Sequence, residues 1–472
     1  MLVCDSLNRP DQVWEKTWHW LSDGILHKER ITTANPELQL SNDTLKNLTL
    51  SEIEDLLLKN RRSLKQFPSM PYPDAFATTN CGSDVAHLLR VAHLIIWDEA
   101  PMAHKFCFED LDRTLKDIMK DDLTCNSVFG GKVVVFGGDF RQIIPVIPRG
   151  SRSDIVHATI NASYLWNHYQ VLTLSKNMRL MQSGLKKSTA TEIEQFSDWI
   201  VKLGDGKLCE PNDGVVEIEI PHEFLIIEFS DPLQAIVDST YPELIQNYSD
   251  KNYLKSRAIL ASRIETVDEI NDYILSLIPG EPKEYLSADS IDKSDNFTND
   301  DMDVITLEFL NLLTISRLPS HNNIKLKIGS PIMLLRNLDQ FEGLCNGTRL
   351  IITRLVNHVI GAKPITVNNN GNEVYIPRIS MSPSQSPWPF KLIRRQFPIM
   401  LSYTMTINKS QGQSLGSVGL YLPTPVFSHG QLYVVVSRVQ SKSGLKILIH
   451  DKEKRPLSHT TNVVFKEVFQ NV

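Results

Sequence analysis

The stretch LIIWDEAPM, residues 94 to 102, sets four apolar residues directly before Asp98 and Glu99. An apolar strand ending in two carboxylates is the layout of a nucleotide site: the Asp holds a water-coordinated Mg²⁺ and the Glu polarises the water that attacks a γ-phosphate. A solvated Asp-Glu loop after a strand is the plain alternative. The next such stretch ends in FGGDFRQ, where Gly137 and Gly138 permit a sharp turn and Asp139, Arg141 and Gln142 follow. Ligands of open α/β sheets bind at such carboxyl edges. A strand-to-loop turn with a solvated Asp and Arg competes with that reading, but two strands both ending in acidic polar clusters favour one crevice.

Two arginines follow apolar runs: Arg179 in TLSKNMRL and Arg438 in QLYVVVSRV. A guanidinium that reaches a γ-phosphate supplies positive charge where negative charge develops during phosphoryl transfer. Either arginine alone reads as a surface charge or a salt bridge. The stretch YTMTINKSQGQSLGSV, residues 403 to 418, gathers Thr406, Lys409, Ser410 and Gln411 before a flexible Gly412. Such a cluster suits the phosphate backbone of single-stranded nucleic acid. A polar loop capping a helix is its bland counterpart.

These side chains need elements to position them. From 91 to about 171, short apolar runs alternate with a helical stretch: HLIIW, FEDLDRTLKDIM, KVVVFGGDF and YQVLTLS. Phe108, Leu111, Leu115 and Ile118 fall on one helical face, Val133, Val134 and Val135 read as a buried strand, and YQVLTLS reads as another strand. Strand, helix, strand predicts a parallel sheet. A second set begins at Ala258, with RAILAS, a helix in VDEINDYILSLI, and later SVGLYL and LKILIH, so two α/β lobes are expected. Residues 281 to 323 are polar and rich in Asp and Ser, whereas 324 to 400 alternate like β-strands with NGT and NNNGN turns and read as a small β-rich insertion. Residues 1 to 74 read as helical; in TLSEIEDLLLKN, Ser51 and Glu54 have capping-box spacing beside Leu50, Ile53, Leu57 and Leu58 at helical period. FPSMPYPD, with three prolines in eight positions, reads as a linker.

Composition narrows the partners. The 472 residues suffice for two or three domains, and a formal charge of -6 excludes a uniformly basic protein, so nucleic-acid contact must use local patches. Six cysteines without a C-x-x-C pair argue against zinc and against a disulfide framework. No apolar run approaches the roughly 18 residues of a membrane helix, and the start lacks the charged-then-apolar order of a signal peptide. The expectation is a soluble intracellular protein with no membrane partner.

Taken in order, DEAPM, GGDFRQ, NMRL, TINKSQGQSL and QLYVVVSR resemble motifs II to VI of a superfamily-one DNA helicase. More narrowly they look like the petite-integration-frequency helicases, in the version carried by Helitron transposons. FEDLDRTLKDIM sits where that family has a signature between motifs II and III, and GLCNGTRL and FSHGQLY are typical of it. The similarity runs from about residue 11 into the C-terminal region, including WEKTWHWLSDGILHKER and SLKQFPSMPYPD. It implies an α/β fold of two RecA-like parallel-sheet lobes, a small SH3-like β insertion in the second and a helical N-terminal extension. The boundaries implied are 1–74 for the extension, 75–205 for a truncated first lobe with motifs II, III and IV, and 206–323 for the start of the second lobe with its polar insertion. Residues 324–400 form the β insertion and 401–472 close the second lobe with motifs V and VI.

The resemblance also implies ATP-driven, 5′ to 3′ unwinding with Mg²⁺, acting on single-stranded and forked duplex DNA in the nucleus, in telomere maintenance, repair, recombination or transposition. Carried over by motif, Asp98 binds Mg²⁺, Glu99 activates water and Gln142 senses the γ-phosphate. Arg179 and Arg438 complete the site from two sides, and Asp139, Lys409 and Gln411 join Asp98 around the nucleotide. Thr406, Lys409, Ser410 and Gln411 link nucleotide state to the DNA track.

One part of the pattern is missing. The family has a phosphate-binding loop, G-x-x-x-x-G-K-[ST], upstream of motif II, and this sequence has none: before Asp98 the only glycines are Gly24 and Gly82, and Gly131-Lys132 and Gly206-Lys207 are followed by Val and Leu. Resemblance stops near Asp74 and resumes near Cys81, so a block holding the backbone N–H cradle, its Lys and its Ser/Thr is expected to be absent between them. Several charge-assisted hydrogen bonds of roughly 1.5 to 3 kcal/mol each vanish with it. Weak or absent ATP turnover is therefore expected, and a catalytically inactive single-stranded-DNA-binding remnant is the alternative. A Mg²⁺-dependent nuclease using Asp98, Glu99 and Asp139 ranks last, because no further acidic cluster completes a two-metal site.

Overall fold

The computed structural model describes residues 10–32, 41–59, 64, 67, 69–71, 84–120, 125–178, 187–209, 211–291, 323–340, 342–365, 372–382, 390 and 392–470. The chain divides into two compact units. Met1–Ala100, Lys105–Gly137 and Ser163–His168 make the first; Pro101–His104, Gly138–Ala162 and Tyr169–Val472 make the second.

In the first unit, helices α1 (Pro10–Thr32) and α2 (Asn42–Lys59) enclose Trp14, Leu50, Leu64 and Met70. Ser51 and Glu54 mark no helix start, because α2 starts nine residues earlier than Ser51. Its cap is Ser41, whose Oγ accepts the Thr44 N–H at 3.2 Å, and a helix once nucleated propagates through later cap-like spacings. Glu54 is instead buried, and its carboxylate accepts the Leu64 N–H at 2.6 Å.

Helix α3 (Asp84–Val91) leads into β1 (Leu94–Trp97), and α4 (Lys105–Ile118) leads on to β2 (Val133–Phe136). The two strands pair in parallel, Leu94 opposite Val133 and Trp97 opposite Phe136, as strand, helix, strand predicts. Phe108 on α4 packs edge-to-face on Phe136 at 5.2 Å and against Trp97 at 5.0 Å, covering one sheet face. Inside α4, Asp112 accepts the Phe129 N–H at 2.6 Å, Lys116 at 2.8 Å and the Tyr164 hydroxyl at 3.2 Å. Burial raises its pKa, but these three donors outweigh it and the carboxyl lies below its usual value. The other sheet face holds Leu94, Ile96, Val133 and Val135, all exposed, so β2 is not the buried strand expected. A parallel sheet is normally covered on both faces, and this one has only two strands among the described residues.

The second unit contains α5 (Arg152–His157), α6 (Lys187–Gly204), β3 (Val215–Glu219), α7 (Pro232–Thr240), β4 (Arg257–Ala261) and α8 (Ile264–Leu277). An antiparallel region follows: β5 (Lys283–Leu286), β6 (Ala288–Ile291), β7 (Asn323–Leu326), β8 (Pro331–Leu334), β9 (Arg349–Leu355), β10 (Val359–Pro364), β11 (Val374–Pro377), β12 (Ile379–Met381), β13 (Leu392–Gln396) and β14 (Ile399–Leu401). Then come β15 (Thr404–Thr406), β16 (Ser417–Leu422), α9 (Gln431–Ser437), β17 (Leu445–Ile449) and β18 (His459–Val463), which pairs with β3. The all-parallel sheet runs β15-β4-β16-β17. Alternation along its strands splits the core: Ile259, Tyr421 and Leu448 pack with Ile236, Ile270 and Ile274, while Ala258, Leu260, Leu420 and Ile447 pack with Val434, Val435 and Val436 of α9. Both faces are therefore dry, as a RecA-like lobe requires.

The expected β-rich insertion is a five-stranded antiparallel sheet, β11-β10-β9-β8-β14, beside a three-stranded one, β12-β13-β6. Arg394 on β13 meets Asp289 on β6 through a fully buried two-point ion pair, Nη2 to Oδ2 at 2.7 Å. The NGT turn joins β8 to β9, whereas most of NNNGN lies outside the described residues. YQVLTLS is not a strand: residues 169 to 177 have no regular structure, and Leu172 and Leu174 are 81% and 99% exposed. An apolar run becomes a strand only where a neighbour takes its backbone hydrogen bonds, and none is described beside it.

Candidate nucleotide and nucleic-acid site

In the first unit, β1 delivers the two carboxylates. The ladder continues past the strand ends, with Gly137 N–H donating to the Trp97 carbonyl at 2.9 Å and Ala100 N–H to the Gly137 carbonyl at 2.8 Å. Residues 98 and 99 are thereby held in a tight turn. Glu99 has φ 52, the left-handed region that side chains adopt at a cost of order 1 to 3 kcal/mol. Asp98 is exposed, and its Oδ1 accepts the Glu99 N–H at 2.9 Å. A side chain at Gly137 would crowd that same oxygen at 3.2 Å, so the glycine keeps the approach open. Mg²⁺ at such a site takes one or two carboxylates together with phosphate oxygens and waters. Among the described residues no group of three or more His, Cys, Asp or Glu is placed to hold a metal, and the sequence has no phosphate cradle to add to Asp98. The residues present do not make a metal site by themselves.

The second unit gathers the remaining candidates into one hydrogen-bonded cluster. Asp139 accepts the Arg141 N–H at 3.0 Å through Oδ1 and the Tyr433 hydroxyl of α9 at 2.6 Å through Oδ2. Burial and the neighbouring Asp139 push the Tyr433 hydroxyl pKa up, so it stays a proton donor. Arg141 turns its guanidinium to Asp205 at 2.6 Å; burial disfavours its charge, but Asp205 and Asp139 outweigh that. It is a paired, half-buried side chain and not a solvated one. Gln142 accepts Gln411 Nε2 at 3.3 Å, so the loop after β2 and the loop after β15 meet through two predicted residues.

His429 and Gly430 fix that arrangement from below. Nδ1 of His429 accepts the Phe465 N–H at 2.8 Å, so its proton sits on Nε2, which donates to the Phe140 carbonyl at 2.8 Å. Burial drives the ring pKa down to about 4 and keeps it neutral. Gly430 has φ 73, and a Cβ there would collide with the carbonyls of Arg141 and Gln142. Only glycine fits at that close approach.

Thr406 ends β15, and Ile407–Ser410 follows as a 3₁₀ turn. Ser410 is buried, with its hydroxyl donated to the Ile407 carbonyl at 2.7 Å, so it shapes the loop from inside. Lys409 reaches Asn346 Oδ1 at 3.2 Å, and Gln413 Nε2 holds the Lys409 carbonyl at 3.2 Å. Arg438, at the end of α9, contacts the carbonyls of Val434 at 3.0 Å and Gln413 at 3.5 Å. Arg179 lies outside the described residues.

Comparison with known proteins gives this geometry a context. The family described as PIF1-like helicase matches residues 42–214, and the DNA helicase Pif1 2B domain matches residues 308–355. The ATP-dependent DNA helicase PIF1 of Xenopus laevis is 26% identical over 375 residues, covering 77% of this chain and 48% of that protein. Over these residues the chain is similar to the PIF1-like helicases. Pif1 of Campylobacter jejuni is 26% identical over 369 residues, 76% of this chain and 70% of that one. The chain spans about half the length of the first of these relatives. The crystal structure of Pif1 helicase from Bacteroides in complex with ADP-AlF3 and ssDNA superposes with a TM-score of 0.52 at 20% identity, over 83% of this chain and 79% of that one. Pif1 helicase from Candida albicans gives 0.50 at 17% identity over 91% and 92%. At these identities the likeness speaks for the fold.

Among the described residues no helix is long and apolar enough to cross a membrane. Four site residues have no role assigned by the motifs: Asp205, Asn346, His429 and Tyr433. The sequence signals beside them are the NGT turn at Asn346 and the stretch FSHGQLY, which holds His429 and Tyr433; no local signal marks Asp205.

Proposed function

We propose that this chain is a DNA-binding PIF1-type helicase whose second unit grips single-stranded DNA and whose ATP-driven 5′ to 3′ unwinding is strongly reduced. The observation that carries the reading is the mismatch between motifs: Asp98 and Glu99 stand at the end of β1, while the sequence offers no G-x-x-x-x-G-K-[ST] to hold a triphosphate. The exposed Leu94, Ile96, Val133 and Val135 of this sheet, two-stranded among the described residues, support it, since a parallel sheet is normally covered on both faces.

In this reading Glu99 would orient water, and Gln142, Gln411 and Arg438 would respond to a γ-phosphate. Arg179 would reach the phosphate from the other side, and Asp98 would bind Mg²⁺ once phosphate oxygens completed its shell. Thr406 and Lys409 would face the DNA backbone, with single strands and forked duplex as partners. The biological setting proposed is nuclear, in telomere maintenance, repair, recombination or transposition. The deciding experiment is ATP hydrolysis by the purified chain with and without single-stranded DNA, with Glu99→Gln as control. No stimulated turnover in either, alongside DNA binding that weakens with salt, is the expected result. Turnover that single strands stimulate and Glu99→Gln abolishes would mean that another segment replaces the missing loop, and the reading would fail.

A further inference from the structure

Lys409 is predicted to face DNA, and in the fold its ammonium donates to a residue of the β insertion, Asn346. The loop between β8 and β9 is built tightly. Leu344 N–H donates to the Asp339 carbonyl at 2.7 Å, and Thr348 Oγ1 donates to the Gly343 carbonyl at 3.0 Å and accepts the Cys345 N–H at 3.1 Å. Asn337 Oδ1 then accepts the backbone N–H of Asn346 at 2.8 Å, which fixes Asn346 independently of its own side chain. From that anchored position Asn346 Oδ1 takes Lys409 Nζ at 3.2 Å, while Gln413 secures the Lys409 backbone from the opposite side. Gly347, next in the chain, has nothing within 4 Å of a Cβ built on it, so the loop crest is open.

Resting on the DNA-binding reading above, we propose that Asn346 is a positioning residue: its carboxamide holds the Lys409 ammonium at one place beside the open crest, where a single-strand phosphate docks. A lysine side chain has about 2 kcal/mol of rotamer entropy to lose on being ordered. A neutral acceptor that orders it beforehand lowers that cost without neutralising the charge the phosphate needs. The partner is a nucleic-acid phosphate, and the insertion takes part in the grip through its effect on a residue outside itself.

The test is binding of a labelled oligothymidylate across a salt series by the full chain and by Asn346→Ala, Asn346→Asp, Lys409→Ala and the double alanine variant. Lys409→Ala should flatten the salt slope by about 0.7, the value of one single-strand phosphate. Asn346→Ala should weaken binding about 3-fold to 10-fold and move the slope toward that of Lys409→Ala, and it should add nothing in the Lys409→Ala background. Asn346→Asp keeps the backbone bond to Asn337 but pairs the ammonium with a charge, and should weaken binding more than alanine does. Equal losses from Asn346→Ala in both backgrounds, or a loss with an unchanged slope, would overturn the inference and leave the DNA-binding reading intact. A wild-type chain that fails to bind the oligonucleotide would overturn both.

Discussion

β4 carries RAILA and β1 carries LIIW, two short apolar strands in parallel sheets, yet Ile259 is fully buried and Ile96 is 69% exposed. The difference lies in what surrounds each strand. β4 sits between β15 and β16, with α7 and α8 supplying Ile236, Ile270 and Ile274 on one face and α9 supplying valines on the other. Among the described residues β1 pairs with β2 alone, and α4 covers one face. Burying an isoleucine or leucine fully is worth roughly 1.5 to 3 kcal/mol, so the open face of the first sheet forgoes several kcal/mol that the second sheet collects. Sequence decides that a strand is apolar; neighbours decide whether that is stabilising.

A matched pair of truncations tests the contrast between the two sheets. Ile259→Ala removes a residue enclosed on all sides and should cost about 2 to 5 kcal/mol, read as a lower denaturant midpoint and faster amide exchange throughout the β15-β4-β16-β17 sheet. Ile96→Ala removes an exposed side chain and should change stability by no more than about 0.5 kcal/mol. A large loss from Ile96→Ala would show that its face is covered in solution, and the contrast between the sheets would collapse.

A second effect, of similar or slightly smaller size, belongs to the second unit and depends on pH. His429 has its pKa depressed from 6.5 to about 4 by burial, with Phe140, Asp139 and Glu467 acting against that and Arg152 acting with it. The unfolded chain thus binds a proton between these values while the folded chain does not, and stability falls as pH drops from about 6.5 through about 4. The loss attributable to this ring should approach about 3 kcal/mol below that window. His429→Gln lacks a titrating group, so urea midpoints at about pH 7 and about pH 4 should differ less in the variant than in the wild type by that amount. Equal acid sensitivity in both chains would show that the ring is not held neutral.

Much of the framework was legible in the sequence because it depends on local period. β1, β2, β4, β16, β17, α4 and α8 stand where alternating or helical patterns put them. What stayed illegible depends on partners distant in the chain. YQVLTLS has the composition of a strand but no described neighbour. The Tyr433-Val434-Val435-Val436 run is rich in strand-forming residues and yet is helix, with all three valines buried in the core of the second unit. Ser51 and Glu54 carry a helix-start spacing inside a helix that had already begun. At the site, the motifs marked Asp139, Gln142 and Gln411, but nothing local announces that Tyr433, 294 residues away, donates to Asp139.

That long-range bond supplies the smallest effect and the finest probe of the second unit. Tyr433→Phe deletes one hydroxyl and leaves the ring packed, while Asp139 keeps the Arg141 N–H. A hydrogen bond to a charged group contributes about 1.5 to 3 kcal/mol, and the Asp139 side chain retains 26% exposure, so water replaces part of what is lost and the cost should fall near the lower bound of about 1.5 kcal/mol. The loss should be local: amide exchange at Arg141 and Gln142 should quicken, whereas Ile259 and Leu260 in the sheet should keep their protection relative to the global stability. If exchange rises uniformly, Tyr433 stabilises the unit as a whole and does not specifically hold the loop that carries Asp139 and Gln142. If only the loop responds, α9 fixes that loop through its tyrosine, and Arg438, five residues further along the same chain segment, acts from an element whose position the loop itself reports.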